Sequence, residues 1–348
     1  MKKSLATLAQ LTEFDEIIDA RTPAEYALDR IPGAINLPVL DNEQRITIGT
    51  LYQQSPFEAR RLGAAMVAEN IARHLQGHLR DKPRRWRALI YCWRGGQRSG
   101  AFTTWLRMVG WDVRQLEGGY KHFRHHVIDG IDRLAPAFNW QVIGGPTGSA
   151  KTRILEALSA LGAQTLDLEG LAAHKGSVLG ALPDRPQPSQ KGFETALHHV
   201  LQGLDPQRPV FVEAESRKIG QLYIPEALIS AMRVAPCIAI DASRDTRLAY
   251  LLEDYAYLGA DPQLLQANIA RLSELHSRQT IARWQQFAAS GELGELFAEL
   301  VDQHYDPLYR RSQHGNYLGF GAAKQLSCAT LDAAGIQQAA AAIVALAP

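Results

Sequence analysis

The stretch Trp140-Gln141-Val142-Ile143-Gly144-Gly145-Pro146-Thr147-Gly148-Ser149-Ala150-Lys151-Thr152 decides the architecture of the second half of this chain. A short apolar run enters a glycine-rich loop, a Lys-Thr pair follows, and Ile154, Leu155, Leu158 and Leu161 then share one helical face. Strand, loop and helix in that order make a phosphate-binding loop. Its amides, from Gly145 through Thr147, Gly148, Ser149 and Ala150, cradle a pyrophosphate; Lys151 reaches the outer phosphate and Thr152 can hold Mg2+. Ala150 stands where such loops carry glycine, so a demand for positive φ there costs stability. Downstream, Pro209-Val210-Phe211-Val212-Glu213 reads as a strand ending in acids. Glu213 and Glu215 are candidates to order Mg2+ or water, although a helix cap or a surface ion pair explains Glu215 equally well. Arg217, and Arg244 and Arg247 three apart at a helix start, are candidate phosphate contacts. Residues 262–300 carry amphipathic helical spacing, and 338–346 is an Ala-rich helix.

The first half is built on another loop. Ala88-Leu89-Ile90-Tyr91 is an apolar run of strand length that stops at Cys92-Trp93-Arg94-Gly95-Gly96-Gln97-Arg98-Ser99, after which Phe102, Trp105, Leu106 and Val109 fit one helix face. A cysteine at a strand end, five residues, an arginine and a helix make an anion cradle. Backbone N–H groups and the helix N-terminus face the anion, Arg98 closes the ring with a bidentate fork, and the same field favours a Cys92 thiolate. Gly95 and Gly96 let the backbone curl, and Cys92 is the expected nucleophile. Further strands are expected at Phe14–Asp19, near Ile35 and at Trp111–Leu116. Helices are expected from the Thr22-Pro23-Ala24-Glu25 capping box and over 57–78. Strands alternating with helices imply a parallel α/β sheet, whose ligands bind at the strands' carboxyl ends.

With Asp19-Ala20-Arg21, Glu25-Tyr26, Ile31-Pro32-Gly33-Ala34-Ile35-Asn36 and Leu116-Glu117-Gly118-Gly119-Tyr120, residues 5–128 resemble a rhodanese domain. Arg30 departs from the histidine common there. Five residues between Cys92 and Arg98, where sulfurtransferases usually have four, resemble the dual-specificity phosphatases and suit a tetrahedral oxyanion. Those enzymes place histidine at Tyr91, and the loop here carries no carboxylate to protonate a leaving group. The fold class is therefore α/β. A rhodanese-like parallel-sheet domain over 1–128 and a linker over 129–138 precede a P-loop NTPase-like domain with a helical C-terminal part over 139–348.

The two loops in one chain, together with His174-Lys175-Gly176-Ser177, Pro188 to Glu194, Val212 to Gly220 and His304-Tyr305-Asp306-Pro307-Leu308-Tyr309, resemble the bacterial tRNA 2-selenouridine synthases. The resemblance implies replacement of sulfur by selenium at C2 of wobble 2-thiouridine, through an S-geranylated intermediate. It implies selenophosphate and geranyl diphosphate as substrates and tRNA as partner, the selenophosphate-producing enzyme as a further partner, no tightly bound cofactor, and Mg2+ at most. The alternatives are a rhodanese-type sulfur relay, a C-x5-R phosphatase fused to a kinase-like domain, and a tRNA-binding module without catalysis.

Composition agrees with this class. At about 150 residues per domain, 348 residues make roughly two domains. Lys+Arg number 37 against 36 Asp+Glu, which excludes a histone-like polycation. Residues 1–130 hold 19 against 14, a net of +5, and the remainder 18 against 22, a net of −4. A basic first domain permits nucleic-acid binding. Three cysteines without C-x-x-C spacing argue against disulfides and a structural metal site, and Cys237 and Cys328 read as packing. The N-terminus, with Lys2 and Lys3, lacks a signal-peptide pattern, no apolar run suits a membrane span, and the expected location is cytoplasmic.

Overall fold

A computed structural model describes residues 5–309 and 316–346, so Lys2 and Lys3 lie outside the described residues. The chain divides into two compact units, at Gly130 and Ile131. The first is a five-stranded parallel sheet of β1 (Leu5–Ala6), β2 (Glu16–Asp19), β3 (Ile35–Asn36), β4 (Arg87–Tyr91) and β5 (Asp112–Leu116), in the order β1-β5-β4-β2-β3. Its helices are α1 (Pro23–Leu28), α2 (Asn42–Gln54), α3 (Pro56–Gln76), α4 (Gln97–Val109) and α5 (Gly119–Leu134). Ile18, Ala88, Ile90, Phe102, Leu106 and Val113 form its core, so the apolar run of β4 is buried on both faces as a central parallel strand should be. The register pairs Asp19 with Tyr91. This brings the start of α1 beside the Cys92 loop.

The expected capping box is present. Thr22 Oγ1 accepts from Glu25 N–H at 3.3 Å, and Glu25 Oε2 accepts from Thr22 N–H at 3.1 Å. The expected linker over 129–138 is not irregular: α5 continues to Leu134 and a 3-10 turn takes Ala135–Ala137. Burial of Val127, Ile131 and Ala135 supplies the apolar stripe that keeps this segment helical. The helix α2 carries no buried residue, so its sequence shows no core stripe to announce it.

The second unit holds a parallel sheet in the order β12-β11-β6-β8-β7. These strands are β6 (Asn139–Gly144), β7 (Gln164–Leu166), β8 (Pro209–Glu213), β11 (Cys237–Ala242) and β12 (Lys324–Cys328). A small antiparallel pair, β9 (Lys218–Ile219) with β10 (Leu222–Tyr223), lies apart from it. Helix α6 (Lys151–Ala160) follows the P-loop, α7 (Leu168–Ala172) follows β7, and α8 (Gln190–Gln202) and α9 (Glu226–Val234) flank β8 to β10 in sequence. The irregular segment after α7 ends where Ser189 caps α8 through Gly192 N–H. Helix α10 (Arg244–Asp254) leads into α11 (Pro262–Ala270), α12 (Arg278–Ser290) and α13 (Leu293–Leu300), which bury Leu265, Ile269, Ile281, Trp284, Leu296 and Leu300 in one cluster. A π-helical turn, Val301–Tyr305, continues α13. The final helix, α14 (Ala333–Leu346), packs Ala339, Ala340 and Ile343 against the sheet core. Among the described residues, no helix is long and apolar enough to cross a membrane.

Candidate functional site: a thiol on an anion loop and a phosphate loop

Cys92 sits at the carboxyl end of β4 and is 3% exposed, while Trp93, Arg94, Gly96 and Gln97 are exposed around it. The N–H groups of Arg94, Gly95, Gly96 and Gln97 find no acceptor among the described residues, as an anion cradle requires. Gly95 adopts φ +65°, whereas Gly96 does not enter the left-handed region, so the curl rests on Gly95 alone. Gly119 (φ +60°) presses on the loop from behind: a Cβ there would collide with the Cys92 carbonyl and the Gly95 nitrogen.

Ser99 Oγ donates to Cys92 Sγ at 3.0 Å and itself accepts from Gln115 Nε2 at 2.8 Å. The same Gln115 amide donates to the carbonyls of Gly95 (2.6 Å) and Gly96 (3.0 Å). Gln115 thus orients the hydroxyl that points at the sulfur. The sequence offered no signal for Gln115, since its bonds span 16 to 20 residues. The Arg98 fork, expected to face the anion, is bound to Glu25: Nη1 to Oε2 at 2.7 Å and Nη2 to Oε1 at 3.3 Å. Burial pushes the Glu25 carboxyl up, but Arg98 outweighs it and holds the group below the usual range. Glu25 is thus an ionised carboxylate near neutrality and no proton donor. Beneath it, the Asp19–Arg21 pair is buried, and Arg21 lies over the Tyr120 ring at 3.8 Å.

In the second unit, Ala150 adopts φ +53° at 3% exposure. The substitution for glycine therefore carries the left-handed penalty of about 1–2 kcal/mol. Gly148 is left-handed too (φ +84°), and a Cβ on it would meet the Arg247 carbonyl. Ser149 Oγ donates to the Pro146 carbonyl at 2.7 Å, and Lys151 Nζ donates to the Gly145 carbonyl at 2.9 Å. The lysine thus folds over its own loop, and the N–H groups of Thr147, Gly148, Ala150 and Lys151 have no acceptor among the described residues.

Three expected phosphate contacts are engaged elsewhere. Arg217 pairs with Glu226 (2.9 Å) and Arg244 with Asp302 (2.7 Å), both at the surface. Arg247 is 5% exposed and donates to the Thr147 carbonyl (2.9 Å) and to both oxygens of Asp306 (2.9 and 2.8 Å). Its role is to brace the loop's backbone. Asp302 and Asp306 come from sequence far beyond α10, which is why helix spacing alone could not foresee either pairing.

Pairing of Ile143 with Glu213 in adjacent strands sets the β8 acids beside the phosphate loop. Glu169 of α7, which the sequence reading missed, joins Glu213 and Glu215, with oxygens of all three within 4.8 Å of one another. Thr152 Oγ1 donates to Glu169 Oε2 at 3.4 Å, and among the described residues the buried Oε1 atom of Glu213 has no partner. Burial first, and then for Glu169 and Glu215 the neighbouring carboxylates, push these groups up: Glu213 to about 7, Glu215 to about 8 and Glu169 to about 10. An orphaned carboxylate oxygen in an all-oxygen donor set beside a phosphate loop fits a hard cation such as Mg2+.

The sign of the pH effect follows. Below about pH 4.5 the folded and unfolded chains hold these protons alike; as pH rises to about 7–10 the unfolded chain loses them first, so stability falls. Urea unfolding of the whole chain should therefore show the second unit weaker at pH 8 than at pH 5. Mg2+ should restore it at pH 8, and Glu213→Gln should flatten both responses.

A cleft of about 560 Å³ opens from the phosphate loop. Its lining mixes Lys175 and the three glutamates with Tyr250, Leu251, Tyr255, Leu308 and Tyr309. The irregular segment after α7 supplies Lys175, Gly176, Ser177 and Val178. His304 of the π-helical turn also lines it; its ring lies 3.0 Å from His276 and burial lowers it to about 4.

Family models match both units. A rhodanese-like domain covers residues 3–126, and a tRNA 2-selenouridine synthase AAA domain covers 138–263. A tRNA 2-selenouridine synthase of Nitrosomonas europaea is 38% identical over 273 residues, 76% of this chain and 70% of that relative. One from Cupriavidus necator is 32% identical over 341 residues, 84% and 87% of the two chains. The N-terminal domain of a putative ATP/GTP binding protein from Clostridium difficile 630 is 36% identical, spanning 36% of this chain and 98% of that one at a TM-score of 0.32.

Proposed function

This chain belongs to the tRNA 2-selenouridine synthase family, and from that premise we propose that it exchanges sulfur for selenium at C2 of wobble 2-thiouridine in tRNA, by way of an S-geranyl intermediate. One observation carries the reading: a buried thiol on an amide cradle and a diphosphate loop opening into a part-aromatic cleft occur in the same chain. In the first step the thiocarbonyl sulfur attacks C1 of geranyl diphosphate, a C–S bond forms, and the C–O bond breaks with release of diphosphate. The amides of Thr147, Gly148, Ala150 and Lys151, with the Lys151 ammonium released from Gly145, take up the negative charge that gathers on the leaving oxygens. Tyr250, Leu251, Tyr255 and Leu308 give the apolar chain a dry wall. Mg2+, when bound, neutralises diphosphate charge, and Thr152, Glu169, Glu213 and Glu215 are the residues that would hold it.

S-alkylation makes C2 an isothiourea-like electrophile. Selenophosphate then adds through its selenium at C2, geranylthiolate leaves with the C–S electron pair, and attack of water on phosphorus breaks the P–Se bond, leaving selenium on C2 and releasing inorganic phosphate. Cys92, with Ser99 and the amides of Arg94 to Gln97, is suited to seat that donor. Ionised Glu25 offers no acid for a phosphate-ester leaving group, which favours this reading over a phosphatase.

The test incubates 2-thiouridine tRNA with the whole protein, geranyl diphosphate and selenophosphate, followed by digestion and nucleoside mass spectrometry. A 2-selenouridine peak that requires both small substrates is the expected result. Unchanged 2-thiouridine from folded protein would overturn the proposal and favour a sulfur relay.

A further inference from the structure

Arg98 is the cation of the Cys92 loop, yet its fork already grips a carboxylate from another element. We propose that Glu25 is an internal competitor for the anion site: its carboxylate occupies Arg98 in the free protein, and an oxyanion entering the loop must take the fork from it. The inference rests on reading the Cys92 loop as the site of an anionic donor.

The geometry supports exchange. Both guanidinium–carboxylate bonds are of hydrogen-bond length, and the two side chains keep 17% and 25% of their surface exposed, so the pair can part without unfolding the unit. The backbone of the cradle is in the opposite condition: among the described residues, the N–H groups of Arg94 to Gln97 meet no acceptor. Those four amides are thus ready for an anion, while the guanidinium that closes the loop is engaged. Glu25 Oε2 also accepts from Thr22 N–H as the N3 member of the capping box, which anchors the carboxylate at the rim after Arg98 turns away. A planar fork pairs best with two oxygens at once. A tetrahedral oxyanion can offer both, so Glu25 raises the threshold against anions that offer only one.

Glutamine at position 25 keeps the capping box, since Gln serves at N3 as Glu does, and removes only the competing charge. The experiment follows alkylation of Cys92 by iodoacetamide with peptide mass spectrometry, in the whole protein, against rising inorganic phosphate. Cys328 on the same chain serves as the internal reference. Phosphate should protect wild-type Cys92, and Glu25→Gln should lower the half-protecting concentration about tenfold. The gain should vanish when Arg98→Ala is added. Thr22→Ala, which breaks the cap and leaves Arg98 alone, should not produce it. Equal or weaker protection in Glu25→Gln would overturn the competitor role while leaving the donor site standing. Absence of protection in every variant would remove both.

Discussion

Cys92→Ser protein is expected to form no 2-selenouridine while still geranylating 2-thiouridine tRNA; Lys151→Ala protein is expected to fail at geranylation and yet to convert tRNA supplied already geranylated. The asymmetry follows from two separate charge problems. The selenium step needs a soft, polarisable atom in the cradle, and a serine oxygen, hard and weakly nucleophilic, cannot replace the Cys92 sulfur. Loss of at least about a thousandfold is expected there. Departure of diphosphate needs charge stabilisation, and removing one oriented donor of this kind costs about 10²–10³ in rate. Ser99→Ala should fall between, since it leaves the sulfur but removes the hydroxyl that points at it. Nucleoside mass spectrometry on both tRNA substrates reads all three variants. Loss of both steps in either single variant, with the fold intact, would sink the division of labour.

Arg247→Met should destabilise the second unit by about 3–5 kcal/mol, the usual cost of leaving one partner of a buried ion pair behind. Asp306 would lose its guanidinium partner at a largely buried site, and the Thr147 carbonyl would lose its donor. Asp306→Asn should cost less, because the amide can still accept one bond from the guanidinium. The paired change Arg247→Met with Asp306→Leu should recover much of the loss in stability. It should not recover diphosphate affinity, because the loop backbone at Thr147 would remain unbraced. Urea unfolding together with titration by inorganic diphosphate separates the two effects. Parallel loss and recovery of both would show that Arg247 serves stability alone.

Much of this molecule was legible because its chemistry is contiguous in sequence. The Cys92–Arg98 loop and the Gly145–Thr152 loop each carry strand end, turn glycines, charged residue and helix start within about ten positions. The capping box at Thr22 was equally local. What escaped were bonds closed by topology: Gln115 under the Cys92 loop, Glu169 beside Glu213, Asp306 on Arg247 and Asp302 on Arg244. Glu25 shows the difficulty most clearly. Its local role was correct, but one carboxylate caps α1 and grips Arg98 across 73 residues, and only the pairing of β2 with β4 brings those partners together. Helix α2, with no buried face, left no periodic pattern to read.

The π-helical turn at Val301–Tyr305 holds one residue more than an α-helical turn would in the same arc. Each α-helical residue advances the chain by about 100°. Deleting a single residue there would let the segment relax to an ordinary helix and swing everything after it by roughly a quarter-circle. Leu308 and Tyr309 would then leave the cleft wall they share, and Asp306 would leave Arg247, although none of them had been changed. The extra residue works as an angular key, and the fit between the phosphate loop and its wall depends on chain length at that point as much as on which side chains stand there.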